Sequence, residues 1–243
     1  MNKKLIEYTI DGKIYEGYFV SHDDKELRPT VLISHAWSGI SDFEKQKAED
    51  IAALGYNAFA IDMYGKGIRG TTVEENQKLM SILTNDRALL RTRIKAGLAA
   101  TKTLQGVDSS KIAAIGFCFG GLCVLDLARS GVPIKGVASF HGFFNAPENL
   151  PNELIKAKVI AFHGYDDPMV PPEEINQLGK EMNDAGVDWQ IQAYGLTYHA
   201  FTNPAAQNPT AGAVFSETAN KRSWQTLVNF LEELFYNHRS YIT

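Results

Sequence analysis

The sequence predicts an α/β fold: a mostly parallel central sheet with helices on both faces. Short runs rich in β-branched and aromatic residues alternate with helical stretches, which is typical of parallel sheets built from βαβ units. Val31–Ser34 is a continuous apolar run, of the kind that is buried on both faces of such a sheet. Because 44% of the 243 residues are hydrophobic, the chain can fill one full-sized core. We therefore expect a single domain over residues 1–243.

The elements follow one another in a regular order. The chain starts with an antiparallel hairpin, Lys4–Ile10 and Lys13–Val20, because Asp11-Gly12 between the runs favours a two-residue turn. Apolar and aromatic runs predict further strands at Tyr56–Ile61, Lys111–Phe117, Ile134–Phe140, Val159–Phe162 and Trp189–Tyr194. Helical patterns predict helices at Asp42–Leu54 with Gly55 as its C-cap, Asp86–Leu104, Phe119–Ala128, Pro172–Ala185 and Lys221–Tyr236.

The mouth of such a sheet would have little to cover it. The stretch between His141 and Lys158, where a lid would be inserted, is too short to form one. We expect no separate lid domain, and a mouth roofed only by loops such as Asp62–Thr72 and Asn203–Val214.

Charge and composition exclude several classes of function. The net charge of −4, from 24 basic and 28 acidic residues, argues against nucleic-acid binding, which needs clustered positive charge. No apolar run approaches the ~20 residues that a membrane helix requires, and Glu7, Thr9 and Asp11 interrupt any signal-peptide core. We expect a cytoplasmic protein, either a monomer or a homodimer, with no membrane partner.

A cysteine lies at the apex of a predicted strand–turn–helix. The β-branched run Ile112–Ile115 leads into Gly116-Phe117-Cys118-Phe119-Gly120-Gly121, and an apolar helical stretch follows. This matches the elbow in which a nucleophile sits on a sharp turn between glycines, with Cys118 in place of the usual serine. The helix N-terminus favours its thiolate. The alternative is an inert buried cysteine, which we expect of Cys123, a residue of the apolar helix.

A thiol nucleophile needs a base and an orienting acid, and in this type of sheet they follow in the order acid, base. Asp167 lies in a loop after one apolar strand, and His199 lies just beyond the next strand. We predict the triad Cys118, Asp167 and His199. Asp166 competes with Asp167, although the Val-Pro ending of the segment favours Asp167. His199 could also be an ordinary surface histidine.

Two backbone amides are predicted to hold the oxyanion of the reaction. The amide of Phe119, directly after the nucleophile, is the first donor. The second should come from the loop His35–Gly39 after the first parallel strand, and we assign it to Trp37.

These motifs resemble the dienelactone hydrolase family of α/β-hydrolases. The resemblance rests on the cysteine elbow, the Asp167–Pro171 run and the Tyr198-His199-Ala200-Phe201 ending, and it extends over nearly the whole chain. It implies an α/β-hydrolase fold and hydrolysis of carboxyl esters or lactones through an acyl-cysteine, with no cofactor.

Two positions depart from the family pattern. Archetypal members have an acidic residue at the position of Ala36, which helps to control thiol protonation. They also have an arginine for the substrate carboxylate at the position of Asn203. Arg87, Arg91 and Arg93 are candidates for another such arginine only by proximity. A neutral or aryl ester therefore fits better than dienelactone, and the pocket candidates are Ala36, Trp37, Phe117, Phe119, Phe143, Phe144, Phe201 and Asn203.

Several other patterns have simpler explanations than a function. Gly65–Gly70 spells G-x-G-x-x-G, but a helix pattern rather than a strand and an acidic residue follows it, so we expect a loop. His35, His141 and His163 follow strands without metal-binding spacing, so we expect loop hydrogen bonds and no metal. His22 and His238 are expected at the surface. The basic side of Asp86–Leu104, with Arg87, Arg91, Arg93, Lys95 and Lys102, is expected to be solvated.

Two other functions compete with ester hydrolysis. An open neutral site with a thiolate could also attack phosphate triesters, which a screen of carboxyl, phosphoryl and sulfonyl esters tests. A non-hydrolytic binding protein on a hydrolase scaffold is the second alternative. Absence of an acyl adduct on Cys118, together with tight ligand binding, would support it.

Overall fold

One mixed sheet runs through the centre of the protein. The computed structural model describes residues 1–22 and 26–236. In these ranges eight strands pair in the order β1-β2-β4-β3-β5-β6-β7-β8. They are β1 (Asn2–Ile10), β2 (Lys13–Ser21), β3 (Arg28–Ser34), β4 (Asn57–Ile61), β5 (Val107–Phe117), β6 (Gly136–Phe140), β7 (Lys158–Gly164) and β8 (Trp189–Tyr194).

The sheet changes from antiparallel to parallel near its N-terminal edge. β1 pairs with β2 through a two-residue turn in which Asp11 and Gly12 have φ values of 47° and 76°, as the hairpin prediction requires. β2 pairs antiparallel with β4. The other five pairs are parallel: β4 with β3, β3 with β5, β5 with β6, β6 with β7 and β7 with β8. The prediction of a mostly parallel sheet with an N-terminal hairpin is confirmed.

Helices cover both faces of this sheet. They are α1 (Asp42–Ala53), α2 (Val73–Thr84), α3 (Arg87–Thr103), α4 (Phe119–Arg129), α5 (Pro172–Asp184) and α6 (Glu217–Tyr236). Side chains of α1 and α6 share one core with Val31 and Ile33 of β3, whereas those of α2 to α5 share the other core with Leu32. Alternate residues of β3 therefore enter opposite cores, as expected for a strand buried on both faces.

Some boundaries differ from the sequence prediction. β5 starts at Val107 and α6 at Glu217, both earlier than predicted. The Asn203–Val214 segment contains a short ribbon of β9 (Gln207–Asn208) and β10 (Ala213–Val214). Gly65–Gly70 is a loop, as predicted. His238 lies outside the described residues.

The prediction that the basic side of α3 is solvated holds for Lys95, which is exposed, but not for the arginines. Arg87 is buried and forms two bonds with Asp126 of α4, at 2.6 and 2.7 Å. Arg91 is also buried, and Arg93 donates to the Met63 carbonyl at 2.7 Å. These guanidinium groups stay inside because ion-pair and carbonyl partners replace the water that they lose.

Hydropathy gives no sign of a membrane span: within the described ranges, no helix is long and apolar enough to cross a bilayer.

Candidate active site

The strand–turn–helix around Cys118 has the geometry of a nucleophile elbow. Cys118 joins β5 to α4 with φ 55° and ψ −119°, a strained conformation for a residue with a side chain. A Cβ on Gly116 would lie 2.0 Å from the carbonyl oxygen of Gly120, and one on Gly120 would lie 2.1 Å from that of Ser34. Both positions therefore require glycine, and the half-buried cysteine is held at the carboxyl edge of the sheet.

Asp167 and His199 come together at the same edge. The Nδ1 of His199 lies 2.7 Å from an Oδ2 of Asp167, and both side chains are buried. The other carboxylate oxygen of Asp167 accepts from the amide of Met169 at 2.8 Å. Asp166 is exposed, so the structure pairs His199 with Asp167 and not with its neighbour.

The second ring nitrogen of His199 is available to exchange a proton. Its Nε2 is buried and has no hydrogen-bond partner within the described residues. Burial alone would lower the pKa of His199, but the negative charge of a Cys118 thiolate and the bond to Asp167 outweigh it and raise that pKa to about 10. The imidazole is thus in electrostatic reach of the thiol and is stabilised as a cation when the thiol is ionised.

His141 connects the elbow to the loop that carries His199. Its Nδ1 accepts from the amide of Cys118 at 3.2 Å, and its Nε2 lies 2.8 Å from the hydroxyl of Thr202. Because Nδ1 is the acceptor, the proton of the neutral ring is on Nε2. Burial and the nearby His199 hold the pKa of His141 well below its ordinary value. The prediction that this histidine would satisfy loop hydrogen bonds agrees with these contacts.

The two assigned oxyanion donors come from different segments, the start of α4 and the loop between β3 and α1. Phe119 is the first residue of α4, where amides have no partner inside the helix. Trp37 lies between β3 and α1, and its carbonyl accepts from the Tyr64 hydroxyl at 2.9 Å. The carbonyl of Ala36 accepts from the amide of Gly39 at 3.3 Å. The Ala36 carbonyl and the Trp37 N–H belong to the same trans peptide and point in opposite directions. The Trp37 N–H therefore points away from the Gly39 amide.

A comparison with protein-family models decides the family. The model of the dienelactone hydrolase family matches residues 15–235. The chain belongs to this family. It is therefore a hydrolase of carboxylic esters, built on the α/β-hydrolase fold.

Known relatives agree with this membership. A solved dienelactone hydrolase-like promiscuous phosphotriesterase from metagenomic libraries is 34% identical, with a TM-score of 0.89 over 96% of this chain and 98% of that one. An uncharacterised protein of Caenorhabditis elegans is 37% identical over 63% of this chain and 99% of its own length. A protein of Aquifex aeolicus with the provisional name carboxymethylenebutenolidase is 25% identical over 94% of this chain and 97% of its own.

The candidate site around Cys118 and His199 opens into a cavity of about 450 Å³. Of the predicted pocket residues, Ala36, Trp37, Phe117, Phe143 and Asn203 line this cavity together with Cys118 and His199. Sequence reasoning missed Phe43 and Glu44 of α1, Gln77 and Met80 of α2, Met169, and the smaller residues Ser38, Ser41, Ala200 and Ala213.

Three predicted pocket residues lie elsewhere. Phe119 is buried, and its ring stacks on that of Tyr64, with centroids 5.9 Å apart. Phe144 is buried and packs against the His163 ring, with centroids 5.4 Å apart. Phe201 packs against the rings of His141 and Tyr194 at 5.1 and 5.5 Å. The side chains of Phe144 and Phe201 pack in the core, because their loops turn them away from the cavity.

The roof and the charges of the cavity also differ from expectation. Gln77 and Met80 of α2 form part of the wall that was assigned to the Asp62–Thr72 loop. None of the candidate arginines lines the cavity. Within the described ranges, Glu44 is the only lining residue of the types Asp, Glu, Lys and Arg. No acid stands at Ala36, but one lies next to it in space, since the Ala36 amide donates to the carboxylate of Glu44 at 3.0 Å.

The remaining histidines near the site do not form a metal centre. His35 is buried; its Nε2 accepts from the Met63 amide at 3.1 Å and its Nδ1 lies 2.6 Å from the Ala36 carbonyl. His163 is buried, and neither of its ring nitrogens has a hydrogen-bond partner within the described residues, so the prediction of loop hydrogen bonds is wrong for this histidine. Across the described ranges, no cluster of three or more metal-binding side chains occurs.

Proposed function

We propose that this protein hydrolyses neutral carboxyl esters or lactones through a Cys118 acyl-enzyme. The observation that carries the proposal is the His199–Asp167 pair. It presents a buried, unpartnered Nε2 within electrostatic reach of the elbow thiol, at the floor of a mostly apolar cavity.

The first half of the reaction transfers the acyl group. The Cys118 thiolate attacks the carbonyl carbon, and the oxygen takes the negative charge between the amides of Phe119 and Trp37. Collapse of this intermediate breaks the bond to the leaving oxygen, which takes the proton from Nε2 of His199. Asp167 keeps the imidazole in the tautomer that this transfer needs.

The second half releases the acid. His199, now neutral, takes a proton from water as the water attacks the thioester carbon, and the same two amides hold the charge. The carbon–sulfur bond then breaks, which restores the thiolate–imidazolium pair and frees the carboxylic acid. These steps use only the ester, water and side chains of the protein, and they need no cofactor or redox partner.

The walls of the cavity support a neutral substrate. Trp37, Phe43, Met80 and Phe143 present apolar side chains, which favour alkyl or aryl groups. A substrate carboxylate would meet no guanidinium or ammonium group on the lining of the described residues, and it would be repelled by Glu44.

Replacement of Cys118 tests the proposal. Cys118→Ala should reduce turnover of 4-nitrophenyl acetate by more than about 10³-fold, because the nucleophile is lost while binding remains. Cys123→Ala, the same change at the fully buried cysteine, is the control and should retain most activity. Intact mass after a brief exposure to the ester should show an acyl adduct in the wild type and in Cys123→Ala, but not in Cys118→Ala. Full turnover by Cys118→Ala contradicts the mechanism, and binding without an adduct would favour a non-hydrolytic receptor.

A second candidate activity is hydrolysis of phosphate triesters. The metagenomic relative that is 34% identical over nearly the whole chain is described as a promiscuous phosphotriesterase, and the mostly apolar cavity here suits an uncharged triester. Paraoxon turnover that disappears in Cys118→Ala, with a phosphoryl adduct in the wild type, would establish this activity. Reactivity confined to carbonyl substrates would remove it.

A further inference from the structure

Glu44 is a charged side chain buried in the wall of a mostly apolar cavity. It is the third residue of α1 and is 1% exposed, and it lines the same cavity as Cys118. A buried carboxylate is costly unless donors surround it. Its surroundings therefore indicate what it is for.

The carboxylate of Glu44 binds both ends of one loop. We define the oxyanion loop as residues 36–41, which contain Trp37. One oxygen of Glu44 accepts from the amide of Ala36 at 3.0 Å, at the start of this loop. The other accepts from the amide and the hydroxyl of Ser41, at 2.8 and 2.6 Å, at its end.

We infer that Glu44 is a positioning residue that holds the Trp37 amide in place for the oxyanion. The inference rests on the proposed function, which gives the Trp37 amide its role. Glu44 does not touch the reacting atoms in this account. It fixes the two ends of the loop, so that the peptide between Ala36 and Trp37 keeps its orientation when charge develops on the substrate oxygen.

A second helix shows what helix capping alone requires. Both α1 and α2 begin with a capping box, in which a Ser or Thr and a Glu three residues later satisfy the first amides. In α2, Glu75 binds only Thr71 and Thr72, directly before the helix, and it is exposed. Glu44 does the same with Ser41 but also reaches back to Ala36. That additional bond is the feature that helix capping does not explain.

A neutral amide cannot replace this carboxylate. A glutamine side chain has a single acceptor oxygen and a donor NH₂ group. It can serve the Ala36 amide or the Ser41 amide, but the other N–H then faces a donor and is left without a partner. Glu44→Gln should therefore release one end of the oxyanion loop while it preserves the size of the side chain.

The test compares Glu44→Gln with Glu75→Gln. Because a small displacement of an oxyanion donor reduces the rate of acylation, kcat for 4-nitrophenyl acetate should fall roughly 10–100-fold in Glu44→Gln, with KM within about threefold. Glu75→Gln, which removes the same capping charge away from the cavity, should remain within about twofold. Alkylation of Cys118 by iodoacetamide forms a thioether and releases iodide without an oxyanion, so its rate should be unchanged in both variants.

The readouts separate the alternatives. Equal loss of ester turnover and alkylation in Glu44→Gln would mean that Glu44 acts on the thiol or on folding, and this would overturn the inference. Unchanged turnover in Glu44→Gln would overturn it as well. Glu44→Asp keeps the charge but is too short to span both ends, so full activity in that variant would also contradict the inference. If Cys118→Ala retains turnover, the proposed function fails instead, whatever Glu44→Gln shows.

Discussion

The two sides of the cavity are built differently. On one side, Cys118, Asp167 and His199 stand at the ends of β5, β7 and β8, and buried hydrogen bonds fix each of them. On the other side, Phe43 and Met80 reach in from α1 and α2, and they contribute apolar surface rather than directed bonds.

This difference separates rate from selection. The strand-end side supplies groups whose positions relative to one another decide whether a bond can break, so changes there should affect every substrate alike. The apolar side chains of the helix side, Phe43 and Met80, supply shape, so changes to them should alter which substrate is preferred. Three predictions test this separation.

The largest effect should come from the acid of the strand-end side. Asp167→Asn should lower kcat by roughly 10²–10⁴-fold on every ester, because an amide no longer holds the proton-donating tautomer of His199. Steady-state kinetics on acetate, butyrate and benzoate esters measure it. Asp166→Asn, one residue away and exposed, should leave kcat almost unchanged. Loss in the Asp166 variant instead would reassign the acid.

The second effect is electrostatic and also belongs to the strand-end side. The pKa of His199 is raised from 6.5 to about 10 in the folded protein. A raised pKa stabilises the fold through the protonated form, so this contribution is complete below pH 6.5 and is lost as the pH rises toward 10.

Removal of the Cys118 thiol should lower the raised pKa of His199. In Cys118→Ala the pKa of His199 should fall, because the negative charge of the Cys118 thiolate no longer raises it. NMR titration of the imidazole in both proteins measures the shift. The difference in unfolding free energy between wild type and variant should decline from pH 6.5 to pH 10. Identical titration curves would show that the thiol does not interact with His199.

The smallest effect should come from a charge added to the cavity lining at Asn203, which should change substrate selection and not rate. Asn203 lines the cavity and is half-buried. Asn203→Arg should raise kcat/KM for an ester with a carboxylate by about fivefold relative to its neutral analogue, as expected for one partly exposed ion pair. Asn203→Gln is the neutral control. An equal change for both substrates would mean that the residue affects rate and not selection.

The strand-end side could largely be predicted from the sequence, and the reason is physical. A strand, a glycine-flanked turn and a helix are local patterns, so Cys118 and Phe119 were placed by their neighbours in the chain. Asp167 and His199 each follow an apolar strand, and parallel strands bring their carboxyl ends to one edge. The hairpin at Asp11-Gly12 is also local, and the structure has it as predicted.

The rest of the site could not be predicted, because it depends on contacts between segments that are distant in the sequence. Phe143 and Phe144 are adjacent in a loop, yet only Phe143 lines the cavity, because irregular backbone gives no period from which to infer direction. Arg87 is paired with an acid on another helix. The capping box of Glu44 can be recognised in the sequence, but its bond to Ala36 requires the loop and the helix to meet in space.

The bonds of His141 have a further consequence for how the site responds to heat. One imidazole ring spans the amide of Cys118 and the hydroxyl of Thr202, three residues beyond His199. An aromatic ring does not stretch or fold, so it acts as a spacer of fixed width between the segments that carry nucleophile and base. Thermal motion should then move the two segments together, and their separation should vary less than either position does.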